Sequence, residues 1–241
     1  MFDYLVKCFY KSIDWIVISF VKSHRFFKHC PGFKVGFGLI WLHNFLFRKG
    51  FNFNEQSAVV GFHWNADRSN WDYQYAIDLV KEFKAENPDF CIGGACYPEI
   101  HPESQNQRTD ILHLKEKVDA GCDFLTTQMF FDNNLLYNFL YKIREQGITV
   151  PIIPGIMPIT NSNQVERAIK LSGSFMPQRF KSLVDKFGSD PDAMKQAGIA
   201  YATDQIIDLY ANGITNVHVY SMNKPDVAEK ILSNLSNILG K

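Results

Sequence analysis

The chain has 241 residues, and its 25 basic and 25 acidic side chains give a formal net charge of zero at pH 7. This length suits one large domain with a sizeable core. A neutral chain has no electrostatic footprint for a polyanion, so we expect no nucleic-acid partner.

The apolar runs near the N-terminus are shorter than the ~20 residues that a bilayer requires. Residues 13–21 include Asp14, and residues 36–47 include His43 and Asn44, so we expect no membrane partner. The five cysteines are an odd count without C-x-x-C spacing. This argues against a zinc ribbon and a disulfide framework, and we assign no metal site. A reducing, cytoplasmic location is the simplest interpretation.

The composition changes near residue 60. Before this point Phe, Lys, His and Trp are dense and acidic residues are scarce, and no helical or strand period persists. We therefore predict an atypical, aromatic-rich segment over residues 1–64 and a separate regular region over residues 65–241.

Regular elements follow from residue 71. An apolar stripe of Tyr75, Leu79 and Phe83 predicts a leading helix that ends near Asn87. Four apolar runs then predict strands over residues 90–97, 124–131, 150–158 and 216–222. Predicted helices cover residues 107–120, 133–146, 161–171, 177–187, 191–211 and 225–239. Gly121 is placed to end the first of these, and Thr160 or Asn161 to cap the third.

Strands that are apolar on both faces and alternate with helices predict an α/β fold with a parallel sheet. Four such units behind one leading helix amount to half of an eight-fold barrel. An open, doubly wound sheet fits the same pattern.

Polar residues follow each predicted strand, where parallel α/β folds carry their functional loops. They are Tyr97 to Ser104 after the first strand, Gln128 and Asp132 in the second, Thr160, Asn161 and Gln164 after the third, and Lys224 after the fourth. The set contains no Ser-His-Asp group and no carboxylate pair with obvious spacing. It favours a surface for a large polar ligand over a hydrolytic site.

Several of these residues also fit structural roles. His101 lies beside prolines and fits a turn, while Asp110 and Lys117 share one helix face and fit a surface ion pair. His218 alternates with apolar residues and fits a core histidine. Gln128 differs, because an amide inside an apolar strand costs about 1–3 kcal/mol without partners. We therefore expect Gln128 to face a ligand.

The chain from about residue 71 to residue 241 resembles the methylenetetrahydrofolate reductase family. The segments that carry the resemblance are residues 89–103 (DFCIGGACYPEIHPE), 114–121 (LKEKVDAG), 127–132 (TQMFFD), 151–161 (PIIPGIMPITN) and 218–223 (HVYSMN). They are long and follow one another in the family's order. Other flavin barrels, such as proline dehydrogenase, lack these folate-specific strand motifs.

The resemblance implies a (β/α)₈ TIM barrel with FAD at its C-terminal face. NADH or NADPH would reduce the flavin, which would reduce 5,10-methylenetetrahydrofolate to 5-methyltetrahydrofolate for one-carbon metabolism and methionine synthesis. By the same likeness, FAD would contact Tyr75, Ala76, Tyr97, His101, Ser104, Asp110 and Lys117. The folate substrate would contact Gln128, Gln164 and Lys224, and Gln128 would also serve the nicotinamide.

The first part of the chain departs from the family. The family's F-E-F-F-P-P strand, whose Glu is the general acid, is not found, and neither are its T-Y-G and R-G-D motifs. We therefore assign no catalytic residue. We interpret the chain as the second half of a barrel behind a frame-shifted or rearranged segment. Half a barrel would leave strand edges unpaired, which favours self-association into a homo-oligomer.

Two functions remain open. The chain is a flavin oxidoreductase of folate metabolism, impaired by loss of the N-terminal half, or a non-catalytic fragment with an interaction or structural role. Flavin binding and oxidation of NADH with menadione would favour the first. Colourless, aggregated protein would favour the second.

Overall fold

The computed structural model describes residues 17–20, 57–60, 75–89, 91–222 and 224–240. Its strands are β1 (Val17–Phe20), β2 (Ser57–Val60), β3 (Cys91–Cys96), β4 (Phe124–Thr127), β5 (Ile152–Ile153), β6 (Gly155–Ile156) and β7 (Val217–Tyr220). Its helices are α1 (Ala76–Glu86), α2 (Gln107–Asp119), α3 (Asn133–Glu145), α4 (Asn163–Ser172), α5 (Gln178–Phe187), α6 (Pro191–Ala211), α7 (Pro225–Asn234) and α8 (Ser236–Leu239).

The described strands form two sheets, of four and three strands, and most of their pairings are parallel. Strands β2, β3, β4 and β5 pair in that order, each parallel to the next. Strand β6 pairs in parallel with β7. Since only Pro154 separates β5 from β6, the parallel strands form one series from β2 to β7. The predicted α/β class with parallel strands is confirmed.

Pro154 explains why one predicted strand becomes two. Proline has no N–H, so it cannot donate to a neighbouring strand. Its carbonyl accepts from the His218 amide at 2.8 Å. The next amide, that of Gly155, donates to the Thr127 hydroxyl at 2.8 Å. The chain therefore leaves its pairing with β4 at Pro154 and takes up pairing with β7.

Two strands lie where the sequence indicated none. Strand β2 pairs with β3, and β1 pairs antiparallel with β7. Both outer strands of the predicted half-barrel therefore have a neighbour, and β1 and β2 are the outermost strands at these edges. Each added strand has four residues, which is too short to establish a period. The rest of the predicted segment 1–64 lies outside the described residues.

The parallel strands have one closed face and one partly open face. On the closed face Ile92, Leu125, Ile156 and Val219 are each 0% exposed and pack with the helices in one large core. The opposite face keeps accessible surface. Its partly exposed side chains are those of Ala95, Tyr97, Phe124, Thr126, Gln128 and Tyr220. This face is therefore free to form a site.

Most predicted helix bounds agree with the structure. Gly121 follows α2 with φ +123°, as expected of a residue that ends a helix. Helix α4 differs, because its N-cap is Ser162, which makes no side-chain cap bond. The predicted last helix is interrupted at Leu235, between α7 and α8. Within the described ranges, no helix is both long and apolar enough to cross a membrane.

Gly155 generates the first testable prediction. A Cβ there would lie 2.4 Å from the Thr127 carbonyl oxygen and 2.5 Å from Tyr220 Cε2. We expect Gly155→Ala to lower the free energy of unfolding by about 1–3 kcal/mol, because backbone and ring must both move. Urea denaturation followed by circular dichroism measures the change.

Gly173→Ala is the control, because no atom lies within 4 Å of a Cβ there and φ is +66°. In that variant the free energy of unfolding falls only because alanine disfavours a positive φ, and not because of a steric contact. A Gly155→Ala protein within about 0.5 kcal/mol of wild type would contradict the close contact.

Candidate functional site

The loop between β3 and α2 is organised by Asp110. This carboxylate lies in the first turn of α2 and accepts from the His101 amide at 3.0 Å and from the Ser104 hydroxyl at 3.0 Å. The helix begins here because the Asn106 side chain accepts from the Thr109 amide at 2.9 Å. The structure therefore brings together three residues that were predicted to contact FAD: His101, Ser104 and Asp110.

Tyr97 joins this loop to the end of β4. Its ring meets the His101 ring edge-on, with 4.6 Å between centroids, and its phenol lies near the Gln128 side chain. Burial, with the nearby Asp110 carboxylate as a second cause, raises the pKa of Tyr97 to about 12. The phenol is therefore neutral at physiological pH and can act there as a hydrogen-bonding group.

Gln128 has partners within the chain. Its backbone amide donates to the Cys96 carbonyl at 2.7 Å, and its side-chain oxygen accepts from the Met129 amide at 3.0 Å. The cost of an unsatisfied amide therefore gives no reason to require a ligand at Gln128. The reason to expect a ligand at Gln128 is its position, because it lies on the partly exposed face beside Tyr97.

Lys117 lies beneath this group. Its ammonium donates to the Ala95 carbonyl, and burial lowers the pKa of Lys117, while Cys122, Cys96 and Asp110 act in the opposite direction. An ammonium has three N–H donors. Among the described residues Lys117 makes no ion pair, and its one hydrogen bond there is the bond to the Ala95 carbonyl. Lys117 thus retains donor capacity in a buried place.

A second polar group follows β6 and β7. The Gln164 side-chain oxygen accepts from the Thr160 amide at 2.9 Å. The Lys224 ammonium donates to the Thr160 hydroxyl at 2.9 Å. The structure therefore joins Gln164 and Lys224, both predicted to bind substrate, through Thr160, which the sequence placed at a strand end and offered as a helix cap.

Residues 174–175, between α4 and α5, bind the ends of β3 and β4. The Phe175 amide donates to both oxygens of Glu99, at 3.0 Å and 2.8 Å, and the Ser174 hydroxyl donates to the Met129 carbonyl at 2.8 Å. Burial raises the pKa of Glu99, and the Phe175 amide partly opposes that shift. Sequence reasoning missed this segment, because it has no period and its partners are distant in the chain.

Tyr75 and Ala76 stand apart from these groups. Tyr75 is 62% exposed at the start of α1, where its amide donates to Asp78 at 3.0 Å. Ala76 packs against the large core. None of the hydrogen bonds between described residues joins either one to Asp110 or Gln128. Their predicted contacts with FAD stay predictions, as do the individual ligand roles of the other site residues.

No group of three or more His, Cys, Asp or Glu residues in the part of the chain that the structure describes could hold a metal ion. The donors and acceptors of the site are instead phenol, imidazole, amide, ammonium and carboxylate groups.

Comparison with known proteins identifies the family. A family model named methylenetetrahydrofolate reductase matches residues 60–236. The chain belongs to the methylenetetrahydrofolate reductase family. The match begins at the end of β2 and includes all the strand-end groups described above.

Individual relatives agree. The chain is 38% identical over 182 residues to methylenetetrahydrofolate reductase 2 of Saccharomyces cerevisiae, a match that covers 72% of this chain and 30% of that protein. It is 35% identical over 161 residues to 5,10-methylenetetrahydrofolate reductase of Escherichia coli, covering 67% of this chain and 54% of that protein. The chain thus spans about a third to a half of the relatives it matches.

A solved structure shares the fold. It is an uncharacterized protein from Clostridium thermocellum that binds two copies of 5-methyl-5,6,7,8-tetrahydrofolic acid. The TM-score is 0.53 at 17% identity, and the match covers 76% of this chain and 63% of that one. At this identity the likeness establishes a common α/β fold alone.

His218 generates a prediction about pH. It lies on β7, with its ring 4.6 Å from that of Tyr220, and burial lowers the pKa of His218 from 6.5 to about 3. The folded chain therefore keeps this ring neutral while the unfolded chain takes up a proton. The stability from this group is present above pH 6.5 and is lost toward about pH 3, by about 1.4 kcal/mol per pH unit.

We expect His218→Phe to have a flatter profile of unfolding free energy than wild type between pH 6.5 and 4, measured by urea denaturation. His113→Phe is the control, since His113 is exposed on α2. Parallel profiles for wild type and His218→Phe would contradict the buried, neutral ring.

Proposed function

We propose that the chain takes part in the flavin-dependent reduction of 5,10-methylenetetrahydrofolate to 5-methyltetrahydrofolate, with NADH or NADPH as the donor. The observation that carries the proposal is the polar group of Tyr97, His101, Asp110 and Gln128, joined at the carboxyl ends of β3 and β4. Parallel α/β folds bind ligands at this edge. The proposed reaction is the one for which the family of the chain is named.

The residues after β3 fit FAD. Lys117 is a buried ammonium with spare donors and no ion pair among the described residues. An anionic ligand with phosphate oxygens would satisfy those donors. Asp110 would hold the loop that carries His101 and Ser104 against the ligand. FAD would supply the redox chemistry, accepting a hydride from the nicotinamide and passing it to the folate.

The substrate would lie against the partly exposed face. Gln128 would bind folate and nicotinamide in turn, and Gln164 would bind the folate after β6, with the Lys224 ammonium held beside it on the Thr160 hydroxyl. Tyr97 would act as a neutral partner of Gln128, since its raised pKa excludes a negative charge there at neutral pH. We assign no general acid, because the Glu99 carboxylate is bound by the Phe175 amide.

The parallel series from β2 to β7 fits an arc of a (β/α)₈ barrel, with α/β units on one side and the site at the strand ends. We propose this architecture on the family and on the continuity of the series across Pro154. A cytoplasmic location and self-association belong to the same proposal. The second candidate, a non-catalytic chain that acts through association, is favoured by the missing F-E-F-F-P-P motif.

FAD binding by the purified chain tests the proposal. We expect a yellow protein that oxidises NADH with menadione. Lys117→Met should weaken FAD binding about 10- to 100-fold, the usual range for a hydrogen bond to a charged group. Isothermal titration with FAD measures this effect.

Lys115→Met is the matched control, because Lys115 lies on the same helix and pairs with the exposed Asp119 at 2.5 Å. Its affinity for FAD should equal that of wild type. Wild-type protein that does not bind FAD would contradict the proposed function. Equal affinities for the two variants would remove Lys117 from the site.

A further inference from the structure

The hydrogen bonds around Gln164 fix which end of its amide faces outward. The Thr160 backbone amide lies 2.9 Å from the Gln164 side chain. A backbone N–H can only donate, so the Gln164 atom that faces it must be the carbonyl oxygen. The orientation therefore follows from chemistry and not from a choice between the nitrogen and oxygen positions.

The Thr160 hydroxyl adds a second contact in the same direction. The Lys224 ammonium, which has only donors, lies 2.9 Å from this hydroxyl, so the hydroxyl oxygen must accept. The hydroxyl proton is then free to point to the Gln164 oxygen, 3.4 Å away. Donation runs from Lys224 through Thr160 to Gln164.

Burial makes this arrangement stable. Thr160 is only 6% exposed, while Gln164 and Lys224 are half-buried. The side-chain oxygen of Gln164 accepts from both the backbone amide and the hydroxyl of Thr160. The Nε2 of Gln164 has no hydrogen-bond partner among residues 75–89, 91–222 and 224–240, so both of its N–H donors remain available to a ligand.

We propose that Thr160 is a positioning residue that holds the Gln164 amide with its N–H donors toward the substrate, and that Lys224 acts through Thr160. The proposal rests on the proposed function, in which Gln164 binds folate. The group recognised at Gln164 is then a hydrogen-bond acceptor, such as an amide or carboxylate oxygen of the folate.

Removing the Thr160 hydroxyl tests the proposal. Thr160→Val keeps the shape and the backbone N–H that bonds Gln164, but it removes the hydroxyl contact that holds the Gln164 amide and the partner of the Lys224 ammonium. With the FAD-loaded full chain, we expect Thr160→Val to weaken 5-methyltetrahydrofolate binding about 3- to 10-fold, typical of one neutral hydrogen bond. FAD affinity should not change, and Thr160→Ser should restore folate binding. Folate affinity equal to wild type in Thr160→Val would overturn the proposal.

Thr203→Val is the matched control. Thr203 is 6% exposed like Thr160, but its hydroxyl donates to the Ile199 carbonyl within α6 at 2.8 Å. We expect this variant to bind 5-methyltetrahydrofolate as wild type does. An equal loss in both variants would mean that a buried hydroxyl is needed only for stability, which would overturn the positioning role.

A double-mutant cycle separates positioning from direct contact. If Thr160 acts through Gln164, then Thr160→Val should have no further effect in a Gln164→Ala background. Likewise Lys224→Met should lose most of its effect once Thr160 is valine. Additive losses in the first cycle would overturn the role of Thr160, and additive losses in the second would assign Lys224 to the ligand directly and overturn that part.

A measurement without ligand tests the positioning of Gln164 even if folate does not bind. ¹⁵N relaxation of the Gln164 side-chain amide should show an ordered group in wild type and a mobile one in Thr160→Val. Wild-type protein that does not bind 5-methyltetrahydrofolate would contradict the proposed function. A Gln164 amide equally ordered in both proteins would overturn the positioning itself.

Discussion

The structure depends on the junction at Pro154 and Gly155, where β5 becomes β6. Pro154 cannot donate to β4, and Gly155 leaves room for the Tyr220 ring to pass over it. The Tyr220 hydroxyl then donates to the Thr127 carbonyl at 2.8 Å, which links β7 to β4 across β6. The Gly155 amide, which donates to the Thr127 hydroxyl at 2.8 Å, joins the same two sheets. Both bonds involve Thr127, the last residue of β4.

Two kinds of polar group follow the parallel strands. After β3 and β4, neutral Tyr97 and Gln128 lie above the buried ammonium of Lys117. After β6 and β7, Thr160 orders Gln164 and Lys224. Burial decides the charge of the first group, because it favours a neutral phenol and leaves an ammonium in need of acceptors. A large, anionic and partly aromatic ligand suits both.

The sequence predicted the helices and the first site group because their causes are local. The start of α2 follows from Asn106, and its end from Gly121. Polar residues directly after apolar strands predicted the loop around Asp110. Once a strand is recognised in the sequence, the residues at its end are located as well.

Contacts between distant residues could not be predicted in this way. Thr160 looked like a helix cap, and its contact with Lys224 spans a long stretch of chain. The Glu99 bond to Phe175 crosses from β3 to the α4–α5 segment, where no period exists. Strands β1 and β2 are short, and pairing rather than propensity defines them.

The central claim is that the ends of β3 and β4 form the ligand site. Hydrogen–deuterium exchange of the purified chain, with and without FAD, tests it most directly. The account predicts slower exchange on FAD binding in residues 97–110 and around Gln128, with no change in α5. Unchanged exchange in residues 97–110, or protection confined to other parts of the chain, would contradict it.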